Sequence, residues 1–318
     1  MIYRLIIAFT VVSLSLPALG QTYPSRPVRV INPFPAGGAV DVVARPLLER
    51  LRQELDQPFI MENRPGGGTV IGSEAVARAN PDGYTLLVTA SQHSINPAIY
   101  PKLPYDTVKD FSPIAPIAQG PLVLVVHPSV PAQDVKQLIA YAKSAPGKIN
   151  FGSASNGSGF HLAGEMFKLM AGVDIVHVPY KGGAPVTTAV LAGEVQLVFS
   201  SPSTVLSHVQ AGKLRLLGVT TLNRSNMIPD TPAMSETLPG FDVVTWYGLL
   251  APAGTPKEIV EKLATTIDKI VNGNEFRELM RKNGLEPAGG TPPQFGLRIS
   301  SEIAKWTRVA KESGAKVD

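Results

Sequence analysis

The order strand, glycine-rich loop, helix, strand, glycine-rich loop, helix, strand occurs twice in this chain, and nothing else in the sequence restricts its fold as much. In the first round an apolar run over 28–31 leads into Asn32-Pro33-Phe34-Pro35-Ala36-Gly37-Gly38-Ala39-Val40-Asp41, and a helix is predicted over 42–55. Val43, Pro46, Leu47, Leu51 and Leu55 recur there at spacings of three and four, which makes one buried stripe. A strand over 59–62, a loop over 63–69, a helix over 71–79 and a strand over 84–88 follow, ending in a polar loop over 89–97. The second round runs through strand 148–151, small-residue loop 152–159, helix 160–170, strand 175–178, loop 179–183, helix 186–191, strand 195–199 and polar loop 200–203. The order of elements repeats, not the residues. Strands alternating with helices predict an α/β fold of parallel sheets with right-handed crossovers. Ligands of such sheets bind beyond the carboxyl ends of the strands, so the loops of the two halves are expected to face one another across a cleft.

Two long apolar stretches, 111–126 and 242–250, read as crossings between two domains. The expected division is an export signal over 1–20, domain I over 21–121 plus 241–318, and domain II over 122–240. Helices are predicted over 131–145 in domain II and over 256–272, 275–283 and 293–313 at the end of the chain, the last three packing back on domain I. Two crossings and a split first domain predict a hinged, two-lobed protein. The export signal rests on a weakly basic start at Arg4, an apolar run over 5–16 and small residues in Ala18-Leu19-Gly20, with cleavage before Gln21. That run falls short of the roughly 20 residues that span a bilayer. The mature chain is therefore expected to be soluble and periplasmic.

Composition removes several function classes. The chain has no cysteine, which excludes disulfides, thiol catalysis, cysteine metal sites and a lipoprotein anchor. The formal net charge is +4, with both signs interspersed and no basic run carrying interleaved aromatics, so nucleic acid is not an expected partner. There is no Gly-x-Ser-x-Gly elbow and no Gly-Lys-Ser or Gly-Lys-Thr. The dinucleotide pattern begun at Gly66 and Gly68 breaks at Ile71. No cofactor is expected. His93, His127, His161, His177 and His208 form no pair at metal-ligand spacing, so no metal is expected either.

What remains are loops rich in Gly, Ser, Thr and Asn and poor in paired carboxylates, a composition that binds anions. Backbone N–H groups of Ala36, Gly37, Gly38 and Ala39, with the hydroxyls of Ser153, Ser155 and Ser158, are candidates to hydrogen-bond a desolvated carboxylate, partly through water. Helix starts add a favourable field. His161 reads either as a site residue or as a packed or capping histidine. Lys181 is either the cation for a carboxylate or a solvated surface lysine. Trp246 and Tyr247 form a cleft wall or pack the hinge, and Arg64 binds or pairs with a nearby acid. Ser158 with His161 leaves a secreted hydrolase as a rival, although no third group orients the histidine.

Six short motifs occur in order: Pro33-Phe34-Pro35-Ala36-Gly37-Gly38 with Asp41 and Arg45; Glu62-Asn63-Arg64-Pro65-Gly66; Pro81-Asp82-Gly83-Tyr84-Thr85-Leu86; His161-Leu162-Ala163-Gly164-Glu165; Val178-Pro179-Tyr180-Lys181-Gly182; and Trp246-Tyr247-Gly248 running to Ala251-Pro252-Ala253-Gly254-Thr255-Pro256. From about Tyr23 to the C-terminus the chain resembles the Bug-type extracytoplasmic solute receptors of the tripartite tricarboxylate transporter family. The resemblance implies a type II-like, two-lobed periplasmic binding-protein fold that closes on a small carboxylate, with two crossover strands as its hinge. It implies a monomer that serves an inner-membrane permease of the tripartite tricarboxylate type; a sensor protein is the alternative partner. It also implies that the loop Phe34, Pro35, Ala36, Gly37, Gly38 grips one carboxylate largely through water. The rest of the ligand is then read by Thr89, Ser91, Asn96, Ser153, Ser155, Asn156, Ser158, His161, Lys181, Ser200 and Tyr247, with Asp41 beside the gripping loop. Many members of the family carry Asp where this chain has Ser200, and its absence favours a carboxylate without an ammonium group.

Overall fold

Val28, Val30 and Ile31 are fully buried on β1 (Val28–Asn32), the strand around which the first lobe is built. The structure, a computed structural model, describes residues 22–316; the expected export signal lies outside the described residues. After β1 come α1 (Ala39–Leu55), β2 (Phe59–Asn63), α2 (Val70–Ala77), β3 (Thr85–Ala90) and α3 (Gln92–Ile99). β4 (Phe111–Pro121) stays in the first sheet, and one residue later β5 (Val123–Val126) begins in the second. The second lobe continues with α4 (Val135–Ser144), β6 (Asn150–Ser153), α5 (Gly159–Ala171), β7 (Val176–Pro179), α6 (Gly183–Leu191), β8 (Leu197–Ser200), α7 (Pro202–Gln210) and β9 (Arg215–Val219). β10 (Val244–Pro252) returns to the first sheet, followed by α8 (Lys257–Asn272), α9 (Asn274–Lys282), β11 (Glu286–Pro287) and α10 (Pro292–Ser313).

The sheets are ordered β11-β4-β10-β3-β1-β2 and β7-β6-β8-β5-β9. Each has a parallel trio, β2-β1-β3 or β7-β6-β8. Each trio is flanked by an antiparallel strand that arrives from the other lobe, β10 beside β3 and β5 beside β8. This is the expected two-lobed periplasmic binding-protein fold, with the repeat of element order realised as a repeat of sheet topology. The crossings are tied together at Thr220, which is fully buried. Its hydroxyl accepts from the Leu122 N–H at 2.8 Å and donates to the Val243 carbonyl at 2.6 Å. Its own N–H donates to the Leu122 carbonyl, and the Val243 N–H donates back to the Thr220 carbonyl. One side chain therefore holds both hinge strands in register.

Two polar stretches expected as loops are helices. Residues 92–99 form α3, whose buried side carries His93, Ile95, Asn96 and Ile99. Pro97 and a polar composition hide it from a periodicity reading, and tertiary burial supplies what propensity lacks. α7 likewise starts right after Ser201, with Pro202 in its first turn. The last helix also departs from expectation. α8 and α9 pack on the first lobe, as do Phe295 and Ile299 of α10. Trp306, Val309 and Ala310 instead join the core of the second lobe beside Leu162 and Phe167. Twenty-two residues at about 1.5 Å each reach across both lobes. Trp246 packs at the hinge, fully buried, with its indole N–H donating to Glu302 at 2.7 Å.

Candidate functional site

A cavity of about 570 Å³ lies between the lobes, within the usual range for small-molecule sites. Its first-lobe wall is the loop after β1. Asn32, at the end of that strand, donates through its amide to Asp41 Oδ1 at 2.7 Å and accepts the Phe34 N–H at 3.0 Å. Asp41 sits in the first turn of α1; its Oδ2 accepts the Gly37 N–H at 2.5 Å and Arg45 at 3.3 Å. Asn63, at the end of β2, donates to the Phe34 carbonyl and to Asp41 Oδ1. Burial alone would raise the Asp41 pKa, but the Gly37 N–H, the Asn63 amide and the Arg45 guanidinium together hold it below the ordinary carboxylate range. Gly37 adopts φ +81°, a left-handed conformation that places its N–H on Asp41 and turns the loop's outer face to the cavity.

Asp41 therefore does not face a ligand. Its carboxylate is spent on four donors behind the loop, and a bare acid at the wall would repel an anion. The Gly37 N–H, expected to meet the ligand, is likewise committed to Asp41.

The electrostatic character of the cavity comes from helix starts. The first turns of α1 (Gly38 to Val40), α3 (Ser91, Gln92), α5 (Ser158 to Phe160), α6 (Gly182 to Pro185) and α7 (Ser201, Thr204) all line it. First-turn N–H groups lack intrahelical partners and carry the positive end of the helix dipole. Among the described residues, Lys181 is the one charged side chain of the lining, and no Asp or Glu lines it. Phe34, Pro35, Phe160, Pro185 and Tyr247 supply apolar surface between these poles. Burial pushes the Tyr247 phenol up to about 12, so it stays a neutral donor.

The structure gathers Phe34, Pro35, Ala36, Gly37, Gly38, Ser91, Ser158, Lys181 and Tyr247 around one space. The other expected site residues lie outside the lining. Thr89 is fully buried in β3. Asn96 is buried and donates to the Gly68 carbonyl and Thr69 Oγ1, bracing the loop after β2. Ser153 is buried against His177, at 2.6 Å, and donates to the Ser155 carbonyl. Ser155 and Asn156 are exposed to solvent beside the cavity. Ser200 is buried behind Thr204, with the two hydroxyls 2.9 Å apart, so it reaches the cavity through a neighbour. Arg64 pairs with Glu62 at 2.5 Å. Sequence reasoning missed Gln92, Phe160, Ser201 and Thr204 as lining residues. The Ser-Pro pair at 201–202 is a helix-start signal that points to the last two.

His161 is packed, not exposed to the cavity: it is 4% accessible and stacks on His177 at 3.8 Å between ring centroids. Ser158 caps α5, accepting the His161 N–H and donating to the Ser155 carbonyl. The imidazole accepts from the Gly157 N–H instead of from Ser158, so serine and histidine do not form a nucleophile–base pair.

Comparison with known proteins agrees with this geometry. The family described as "Tripartite tricarboxylate transporter family receptor" matches residues 43–315. The chain is 36% identical to BugT of Bordetella pertussis over 307 residues, 96% of this chain and 94% of that one. The structure of R. palustris Rpa4515 with adipate is 36% identical with a TM-score of 0.84, covering 93% of this chain and 100% of that one. MatC from Rhodopseudomonas palustris with bound malate is 30% identical with a TM-score of 0.80, covering 90% and 99%. The resemblance to Bug-type receptors is borne out, and with it a receptor in place of an enzyme. Receptors of this family are periplasmic; among the described residues no helix is long and apolar enough to cross a membrane.

Proposed function

This chain belongs to the family of tripartite tricarboxylate transporter receptors, and from that premise we propose that it captures a small organic carboxylate lacking an ammonium group and delivers it to a permease of the tripartite tricarboxylate type. The observation that carries the ligand class is the cavity wall: five helix N-termini and Lys181 converge on one space with no acidic side chain among the described residues of its lining. An anion gains from every pole of such a site. An ammonium group finds no carboxylate there to replace its water. Adipate in one relative and malate in another support the same class. In this reading residues 22–121 with 241–316 form one lobe and 122–240 the other, and the hinge at Thr220 lets them close on the ligand.

A thermal-shift screen tests it, with adipate, malate, citrate and benzoate set against glutamate and aspartate. A ligand at 100 times its Kd stabilises the folded state by about 2.7 kcal/mol, which is readily seen as a raised midpoint. Stabilisation by glutamate or aspartate with no response to the other acids would sink the ligand class. Delivery is tested by uptake of the hit in cells lacking the permease; undiminished uptake would remove the transport role.

A further inference from the structure

The segment between β6 and α5 touches both lobes. Ala154, Ser158 and Gly159 line the cavity, while Gly157 is buried at φ +69° against α3 of the first lobe. A Cβ on Gly157 would lie 2.0 Å from Ile99 Cδ1 and 3.3 Å from Gln92 Nε2. The second lobe's loop is thus seated on the first lobe at Gly157, beside the ligand space. The Gly157 N–H donates to His161 Nδ1 at 3.0 Å. Since Nδ1 accepts, the ring proton of neutral His161 is on Nε2, which lies 3.7 Å from Glu165 Oε1.

We propose that His161 is a positioning residue for ligand capture: its neutral Nδ1 holds Gly157 against the first lobe, and protonation of the ring frees this loop and weakens binding. The proposal rests on the carboxylate reading of the cavity. An imidazolium carries N–H on both nitrogens, so at Nδ1 it would face the Gly157 N–H donor to donor. The other titratable groups of this cluster are Glu165 and Lys168 on α5 and His177 on β7. Burial would raise the Glu165 pKa, but His161 and Lys168 outweigh it and hold it below the usual range, so a negative charge stands ready to receive the imidazolium. Burial, and beyond it the neighbouring His161, push His177 down to about 3. His177 therefore stays neutral across the neutral range.

The test uses two substitutions with opposite geometry. The carboxamide oxygen of Asn reaches the place of Nδ1, whereas that of Gln reaches the place of Nε2. Binding of adipate is measured by calorimetry at pH 7.5 and pH 6.0 for the wild type, His161→Asn and His161→Gln, with the thermal midpoint of each ligand-free protein recorded alongside. We expect His161→Asn to bind within about threefold of wild type at pH 7.5, and His161→Gln to bind at least about tenfold more weakly, the ordinary cost of a buried N–H without an acceptor. Between the two pH values the wild type should lose affinity, by about twofold or more, relative to His161→Asn, because a carboxamide takes up no proton at the acceptor atom; this comparison cancels titration of adipate itself. His161→Gln binding like wild type, or His161→Asn losing affinity in step with wild type, would overturn the proposal. Should His161→Gln fail to fold, the second comparison decides alone. If the wild type binds none of the non-amino carboxylates at either pH, it is the carboxylate reading that falls.

Discussion

Asp41→Asn preserves the size of the side chain that shapes the loop after β1 and removes half of its acceptors. The carboxylate accepts from Asn32 and Asn63 on one oxygen and from Gly37 and Arg45 on the other. An amide that keeps the first pair turns its NH2 toward the Gly37 N–H and Arg45. Arg45 is more than half exposed and contributes little. The buried bond to Gly37 is of the charge-assisted kind, about 1.5–3 kcal/mol. The variant should therefore be less stable by about 2–3 kcal/mol at pH 7 and should bind carboxylates at least about tenfold more weakly, because the loop is no longer held in its binding shape. The folded-state pKa of Asp41 is held below its ordinary value. Its stabilisation is then fully present above the unfolded carboxylate pKa, near 3.9, and is lost as pH falls through the folded value. The gap between wild type and variant should close in acid. Urea unfolding followed by tryptophan fluorescence from pH 7 to pH 3 measures it. A gap under about 0.5 kcal/mol at pH 7, or one unchanged in acid, would refute the assignment of Asp41 as the loop's anchor.

Three further outcomes are expected. Thr220→Val strips a fully buried Leu122 N–H and Val243 carbonyl of their partner and should cost about 2–4 kcal/mol in denaturant unfolding; a loss below about 1 kcal/mol would show that the hinge does not depend on this hydroxyl. Lys181→Met should weaken carboxylate binding about threefold to tenfold and flatten its dependence on salt, the modest scale of an exposed charge; equal salt slopes for the two proteins would count against Lys181. Ser200→Asp places an acid behind Thr204 and should lower the ratio of adipate to aspartate affinity by about tenfold, the order of one charge-assisted bond; an unchanged ratio would mean that the Ser200 position does not set ligand preference.

The folding pattern was legible in local signals. Val28 to Ile31 and Val195 to Phe199 are mostly apolar runs of strand length, each broken by one polar residue, Arg29 or Gln196, and the glycines between elements stand where turns require them. α3 and α7 were not legible, because short polar helices owe their stability to neighbours. Of the expected site residues, the loop at 34–38, Ser91, Ser158, Lys181 and Tyr247 line the cavity, because they follow strand ends or lie on a strand that crosses between the lobes. Asp41, Asn96, Ser153, His161 and Ser200 are polar too and lie equally near the loops, but the first four turn polar atoms to backbone groups behind the wall and Ser200 turns its hydroxyl to that of Thr204. Composition cannot distinguish a hydroxyl that meets a ligand from one that braces the loop.

Alternation of apolar strands with glycine loops and helices is a property of neighbouring residues, so the sequence alone determined two α/β lobes, the loops between their elements, and a chain without cysteine chemistry. Direction is a property of packing. Sheet order β2-β1-β3-β10 and its counterpart β7-β6-β8-β5 aim five helix starts at one point. The reach of α10 across both lobes, the knot at Thr220 and the seat of Gly157 against Ile99 arise only when elements distant in sequence meet. A side chain's partners are set by those meetings, so tertiary structure decided which residues face the cavity and which hold its wall.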